Sequence, residues 1–186
     1  MTDDSQGPTE SATVEYADIE KWYRRFNRAM SMFSPEHDAD GFNDLVAVSI
    51  AGVTLEAFLH IGVGFLDPAK KRDRATLGRL ITLSLACGAV SAELGPLLER
   101  FCDIRNAVTH FIDYRVNDAE VDELYGLMPA SGRSEVDAAK RNILDEASLG
   151  MKLRLVLMSV FHATDIDIRG NVSRALDERG VPRLAE

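Results

Sequence analysis

Cysteine is scarce in this chain. Cys87 and Cys102 are the two thiols in 186 residues, too few for a disulfide framework. Both lie among apolar neighbours, as buried thiols of a reducing cytosol do. Basic residues are outnumbered, 21 Lys and Arg against 30 Asp and Glu, for a formal charge of −9. That balance disfavours broad nonspecific attraction to nucleic acid and leaves room only for a small local phosphate site. Aromatics make up 7% against 46% hydrophobic residues, the profile of a helical globule packed with Leu, Ala and Val. No segment alternates strongly enough for a strand, and no internal repeat is present. No His/Cys/Asp group has zinc-ligand spacing, so neither a metal nor another cofactor is assigned. Gly62, Gly64 and Gly88 mark helix ends and form no phosphate loop.

Uninterrupted membrane-length apolar stretches are also missing. The longest apolar run, "LVAVSIAGVTLEAFLHIGVGFL", carries Glu56 and His60 and is cut by glycines. It reads as a buried helix and not as a membrane span. The opening "MTDDSQGPTESAT" is acidic and polar, the opposite of a signal sequence. The expectation is one cytoplasmic domain with no membrane partner.

What is present is helical period. Residues 1–13 read as a disordered tail, 14–166 as the bundle and 167–186 as a C-terminal tail with room for a short helix near 172–179. Over "VEYADIEKWYRRFNRAMSMF", apolar residues recur at Ile19, Trp22, Tyr23, Phe26, Met30 and Phe33, which is helical spacing. A second helix is predicted over 42–62. A third is capped by Asp73 or Thr76 and ends at Gly88. A fourth runs through "AELGPLLERFCDIRNAVTHFIDY", with Pro96 in its first turn. A polar excursion with one short helix follows. Ser134 with Asp137 resembles a capping box opening a last long helix, bent at Gly150. The fold class is therefore all-α, an up-and-down bundle of four to five main helices. The clusters "KKRDR" and "KWYRR" read as solvated faces that can also guide an anionic partner.

The fourth helix carries the chemistry. Advancing ~100° per residue, Leu94, Leu97, Leu98, Phe101, Ile104, Val108, Phe111 and Ile112 gather into one core arc. Arg105 falls inside the edge of that arc, where an unpartnered guanidinium is costly. Asn106 and His110 are four apart and share a face, with Glu99, Asp103 and Asp113 nearby. Arg105 and His110 stand ~140° apart on the wheel. A second copy of the helix, packed antiparallel across a two-fold axis, would bring both groups to one shared site. On the second helix Ser49, Glu56 and His60 fall along one line. A buried glutamate wants a cation, and the pattern predicts a Glu56–Arg105 contact. His60 and His162 read as core or interface histidines, and Cys102 as inert.

The segment "RNAVTH" resembles the R-x4-6-H motif of the HEPN superfamily in its form R-N-x-x-x-H, set near the end of a late core helix. The likeness covers the layout of roughly residues 42–165, and an acid on an earlier apolar helix, here Glu56, recurs in such families. The resemblance implies a dimerising helical bundle and, in many members, metal-independent endoribonuclease activity in toxins, phage defence or RNA processing. Others are non-catalytic binding or scaffold modules. It implies Arg105, Asn106 and His110 as catalytic residues, with Glu56, Thr109 and Asp103 supporting them. The implied partners are a second copy, RNA, and an antitoxin or other protein.

These residue types suit the chemistry. Cleavage without a metal uses the 2′-hydroxyl as nucleophile on the adjacent phosphorus and leaves a 2′,3′-cyclic phosphate. It needs a proton acceptor, a proton donor for the 5′-oxygen and positive charge on the phosphoryl oxygens. Histidine can take either proton role, a contribution of roughly 10²–10⁴ in rate. Arginine offers planar donors matched to two phosphate oxygens. The competing reading is a non-catalytic helical dimer that binds a partner protein or a nucleotide in the same cleft.

Overall fold

An apolar run too long for a strand has to bury several sides of a helix. In the computed structural model it does so as α1, Phe42–Leu66. The structure describes residue 24 and residues 42–67, 75–111, 113–142 and 149–178. Apart from residue 24, the helix expected over 14–33, the loop after it and the basic segment 68–74 lie outside these. Among the described residues every regular element is a helix: α2 Leu77–Cys87, a short 3-10 turn Ala92–Leu94, α3 Gly95–His110, α4 Asp118–Leu127, α5 Ala130–Asn142 and α6 Leu149–Glu178.

α1 is the central element and packs against α2, α3 and α6. It buries Ala47, Val48, Ala51, Leu55, Phe58, Leu59 and Val63. Phe58 meets Phe161 of α6 edge to face, ring centroids 4.5 Å apart. By length and apolar composition alone α1 is long enough to cross a membrane, yet it is the helix that the others bury.

Local signals set α2 and α3. Thr76 stands at the N-cap of α2 and accepts from the Arg79 N–H. Gly88 closes α2 in the left-handed region at φ 75°, where a side chain would be strained. Pro96 occupies the first turn of α3, where its missing N–H costs nothing.

The α2–α3 hairpin fixes the sense of α1. Gly78 faces Cys102 and Gly95 faces Leu85, so α2 and α3 are antiparallel. Gly52 faces Arg105 at the open end of that hairpin, and Gly62 faces Ala89 at its turn. α1 therefore runs in the same sense as α2.

Four expectations are corrected after α3. First, α3 stops at His110, because Phe111 adopts an extended backbone. Phe111, assigned to the core arc, is 65% exposed. Second, the expected short helix of the excursion is α4, but the excursion also takes in the first turn of α5. Third, α5 begins at Ala130 and contains Ser134 in its interior. Pro129 is the reason: it holds Met128 extended (ψ 145°), and its carbonyl accepts the Arg133 N–H. Fourth, α6 runs on unbroken to Glu178, where a tail was expected from 167 with at most a short separate helix near 172–179. Ile168 and Val172 are core residues. Asp167 accepts the Ser91 N–H at 2.5 Å and Asn171 donates to the Ala89 carbonyl at 3.2 Å, so the polar residues of that segment hold the α2–α3 turn. Gly150 falls in the first turn of α6; residues 143–148 lie outside the described set.

Candidate functional site

Arg105 projects from the C-terminal half of α3 across α1. Its Nη2 donates to Glu56 Oε1 at 3.3 Å, and its Nη1 donates to Asn106 Oδ1 at 3.2 Å. The predicted Glu56–Arg105 contact is therefore present. The pair is accessible, with 26% of the Arg105 side chain and 28% of the Glu56 side chain exposed. Water and ions can reach both groups, and an ion pair of that exposure contributes at most about 1 kcal/mol to stability.

The approach depends on Gly52, one turn before Glu56 on α1. Gly52 is buried. A Cβ added there would lie 3.1 Å from Arg105 Cγ and 3.3 Å from Nε. A glycine inside a helix costs roughly 0.5–1 kcal/mol relative to alanine. Here its bare backbone gives the arginine stem room to cross. Sequence reasoning assigned Gly52 no role. The available signal was its i, i+4 relation to the lone glutamate of an apolar helix.

The remaining predicted residues separate into two groups. Asn106 joins the cluster: besides accepting from Arg105 it donates through Nδ2 to Cys102 Sγ at 3.6 Å. Burial, with Asp103 adding to it, raises the Cys102 thiol above its ordinary range, so it stays protonated and unreactive. Thr109 makes no described hydrogen bond to the side chains of the cluster. Its hydroxyl donates to the Arg105 carbonyl one turn back at 2.7 Å, serving the helix itself. Asp103 is exposed on the outer face of α3. His110 is exposed at the last helical position and makes no hydrogen bond or ion pair with Glu56, Arg105 or Asn106. Ser49 and His60 are half-buried along the same line of α1 as Glu56. One subunit thus assembles Glu56, Arg105 and Asn106, and leaves His110 outside that cluster. Among the described residues no group of three or more His, Cys, Asp or Glu side chains converges as a metal-ligand set.

The segment that follows His110 is anchored by a carboxylate that sequence reasoning missed. Glu120, 9% exposed, receives the Tyr114 hydroxyl and Arg100 Nη2 on Oε1. It receives the Asn117 N–H and Asn117 Nδ2 on Oε2, at 3.2 and 3.0 Å. Asn117 in turn accepts from the Glu120 N–H, which completes a capping box for α4. The spacing Asn117-x-x-Glu120 was the legible signal. Burial and the hydrogen bond to Glu120 push Tyr114 up to about 12. Arg100, whose burial works against its charge, is nevertheless held above its ordinary value by Glu123 and Glu120.

Chemically, the cluster offers a guanidinium presented on a half-exposed surface, an amide beside it, and an exposed imidazole farther along the same helix. Comparison of the chain with protein-family models, with curated proteins and with solved structures finds no match in any of the three.

Proposed function

We propose that this chain is a HEPN-type, metal-independent endoribonuclease that works as a homodimer. The observation that carries the reading is the placement of Arg105, a guanidinium kept off the solvated arc of α3 and held in a defined pose by Glu56 and Asn106. A charged group is costly to hold on the inner edge of a helix, and the RNAVTH segment places an imidazole on the same helix.

In this reading Arg105 stabilises the charge that develops on the phosphoryl oxygens. Asn106 fixes the guanidinium and hydrogen-bonds the phosphate. His110 transfers the proton, as base to the 2′-hydroxyl or as acid to the 5′-oxygen. A second subunit, antiparallel across α3, brings its own His110 to the Arg105 of the first, so the two histidines divide the acid and base work. The exposure of Val53 on α1 and of Phe111 beside His110 fits a face that a second copy covers. Such a protein acts in a bacterial toxin, phage-defence or RNA-processing setting, in the cytoplasm.

The second reading, a non-catalytic dimer that binds a partner protein or a nucleotide, is favoured by one observation: Arg105 is already ion-paired while His110 stands apart from it. Incubation of the purified chain with single-stranded RNA in EDTA separates the two. The nuclease releases fragments ending in a 2′,3′-cyclic phosphate, and His110→Ala lowers the rate by roughly 10²-fold or more. Negligible cleavage by both proteins favours the binding module.

A further inference from the structure

We infer that Gly52 is a positioning residue for Arg105: the absent Cβ on α1 sets where the guanidinium comes to rest, and so sets the geometry of phosphate binding. The inference rests on the reading of Arg105 as the phosphate-binding group.

The contacts at other helical glycines show what is particular here. Gly62 faces Ile168 and Ala89, Gly78 faces Cys102, and Gly95 faces Leu85. Those are places where one element packs closely on another. Gly52 instead faces the Cγ, Nε and Cδ atoms of Arg105, the stem of a side chain whose end is half-exposed. An added methyl group at 3.1 Å from Cγ and 3.3 Å from Nε is too close for an ordinary contact, while the arginine has room to yield. The strain is relieved by moving the guanidinium and not by opening the core. That movement acts directly on the Glu56 and Asn106 hydrogen bonds, which at 3.3 and 3.2 Å have little length to spare.

Two effects of Gly52→Ala then carry opposite signs. Alanine favours the helix, so the folded state keeps its stability or gains. Arg105 loses its pose, so the site loses function. A residue with a purely structural role would move both in the same direction. Gly170 is the internal control, because it lies inside α6, is exposed, and a Cβ there meets nothing within 4 Å. Gly170→Ala reports the helix preference alone.

The experiment compares wild type, Gly52→Ala and Gly170→Ala in the full chain. It reads thermal midpoints, the ¹H–¹⁵Nε resonance of Arg105 (assigned with Arg105→Lys), and cleavage of single-stranded RNA in EDTA. The expected result for Gly52→Ala is an unchanged or higher midpoint, a shifted and faster-exchanging Arg105 resonance, and a fall in cleavage of roughly tenfold, as small misplacements of reacting groups produce. Gly170→Ala matches the midpoint and leaves the resonance and the cleavage unchanged. An Arg105 resonance that stays in place in Gly52→Ala overturns the inference, whatever the cleavage does. So does a fall in midpoint that accompanies loss of cleavage. If wild type cuts no RNA, the nuclease reading fails, and the resonance still decides whether Gly52 places Arg105.

Discussion

Glu56 and Glu120 are both carboxylates paired with an arginine of α3, and they are held in opposite ways. Glu120 is buried and accepts four hydrogen bonds, from Tyr114, from Arg100 and twice from Asn117. Glu56 lies at a half-exposed surface and accepts one described hydrogen bond, from Arg105. A carboxylate with its oxygens saturated in a desolvated place fixes structure, because nothing can replace its donors without a large loss. A carboxylate with one long hydrogen bond at a wet surface holds its arginine lightly and can let it turn to another anion. The first ties α3, α4 and the segment between them. The second belongs to the candidate site.

Three substitutions test this contrast, in descending order of effect. Glu120→Ala strands the Tyr114, Arg100 and Asn117 donors and removes half of a capping box. Its expected cost is about 2 kcal/mol or more in urea unfolding; a loss below about 0.5 kcal/mol would mean that Glu120 is no more structural than Glu56.

Tyr114→Phe removes one of the four donors, for about 1 kcal/mol near neutral pH. It also changes the alkaline limb. The folded chain keeps the Tyr114 proton up to about 12, above the ordinary tyrosine value of 10.0. Between those values the folded state binds more protons than the unfolded one, so stability is full below the lower value and falls as pH rises through the window. Denaturation midpoints followed from pH 9 to 11.5 (roughly the span of tyrosine ionisation) should fall less steeply in Tyr114→Phe than in wild type.

Glu56→Gln has the smallest effect on folding, below about 0.5–1 kcal/mol, and shows itself in function. On the proposed nuclease reading, Arg105 freed from its pose binds substrate without competition from the carboxylate, so KM falls. It also stabilises the transition state less well, so kcat falls. Equal values of both constants in the two proteins would detach Glu56 from the site.

The sequence was informative wherever the controlling interaction is local or follows from a single unbalanced charge. Thr76, Gly88 and Pro96 bound α2 and α3 through caps and a first-turn proline, all readable within a few residues. The Glu56–Arg105 pair was readable across 49 residues, because one acid on an apolar helix and one arginine on an apolar arc each demand a partner. Features decided by distant contacts stayed hidden. The apolar pattern continues past His110, yet the chain leaves the helix there. Beyond that point Tyr114 reaches Glu120 and Val116 is buried. The far half of α6 looked like a tail because Asp167 and Asn171 are polar, and their partners are backbone groups of a turn some eighty residues earlier. The RNAVTH motif did not show which of its residues bond to one another: Asn106 hydrogen-bonds Arg105, while His110 bonds neither and the Thr109 hydroxyl goes to a backbone carbonyl. Gly52 left no trace in hydropathy, since its contribution is an absent atom.

The tether on Arg105 has a consequence for selectivity. On the proposed reading, an incoming anion does not meet a vacant cation but competes with a carboxylate already there. Its net gain is the difference between two pairings, so a monoanion that resembles Glu56 gains almost nothing, whereas a group that spreads charge over several oxygens can engage the fork from both sides and prevail. On that reading the competition disfavours acetate-like solutes and small acids without any steric gate, and the guanidinium stays paired and oriented between encounters.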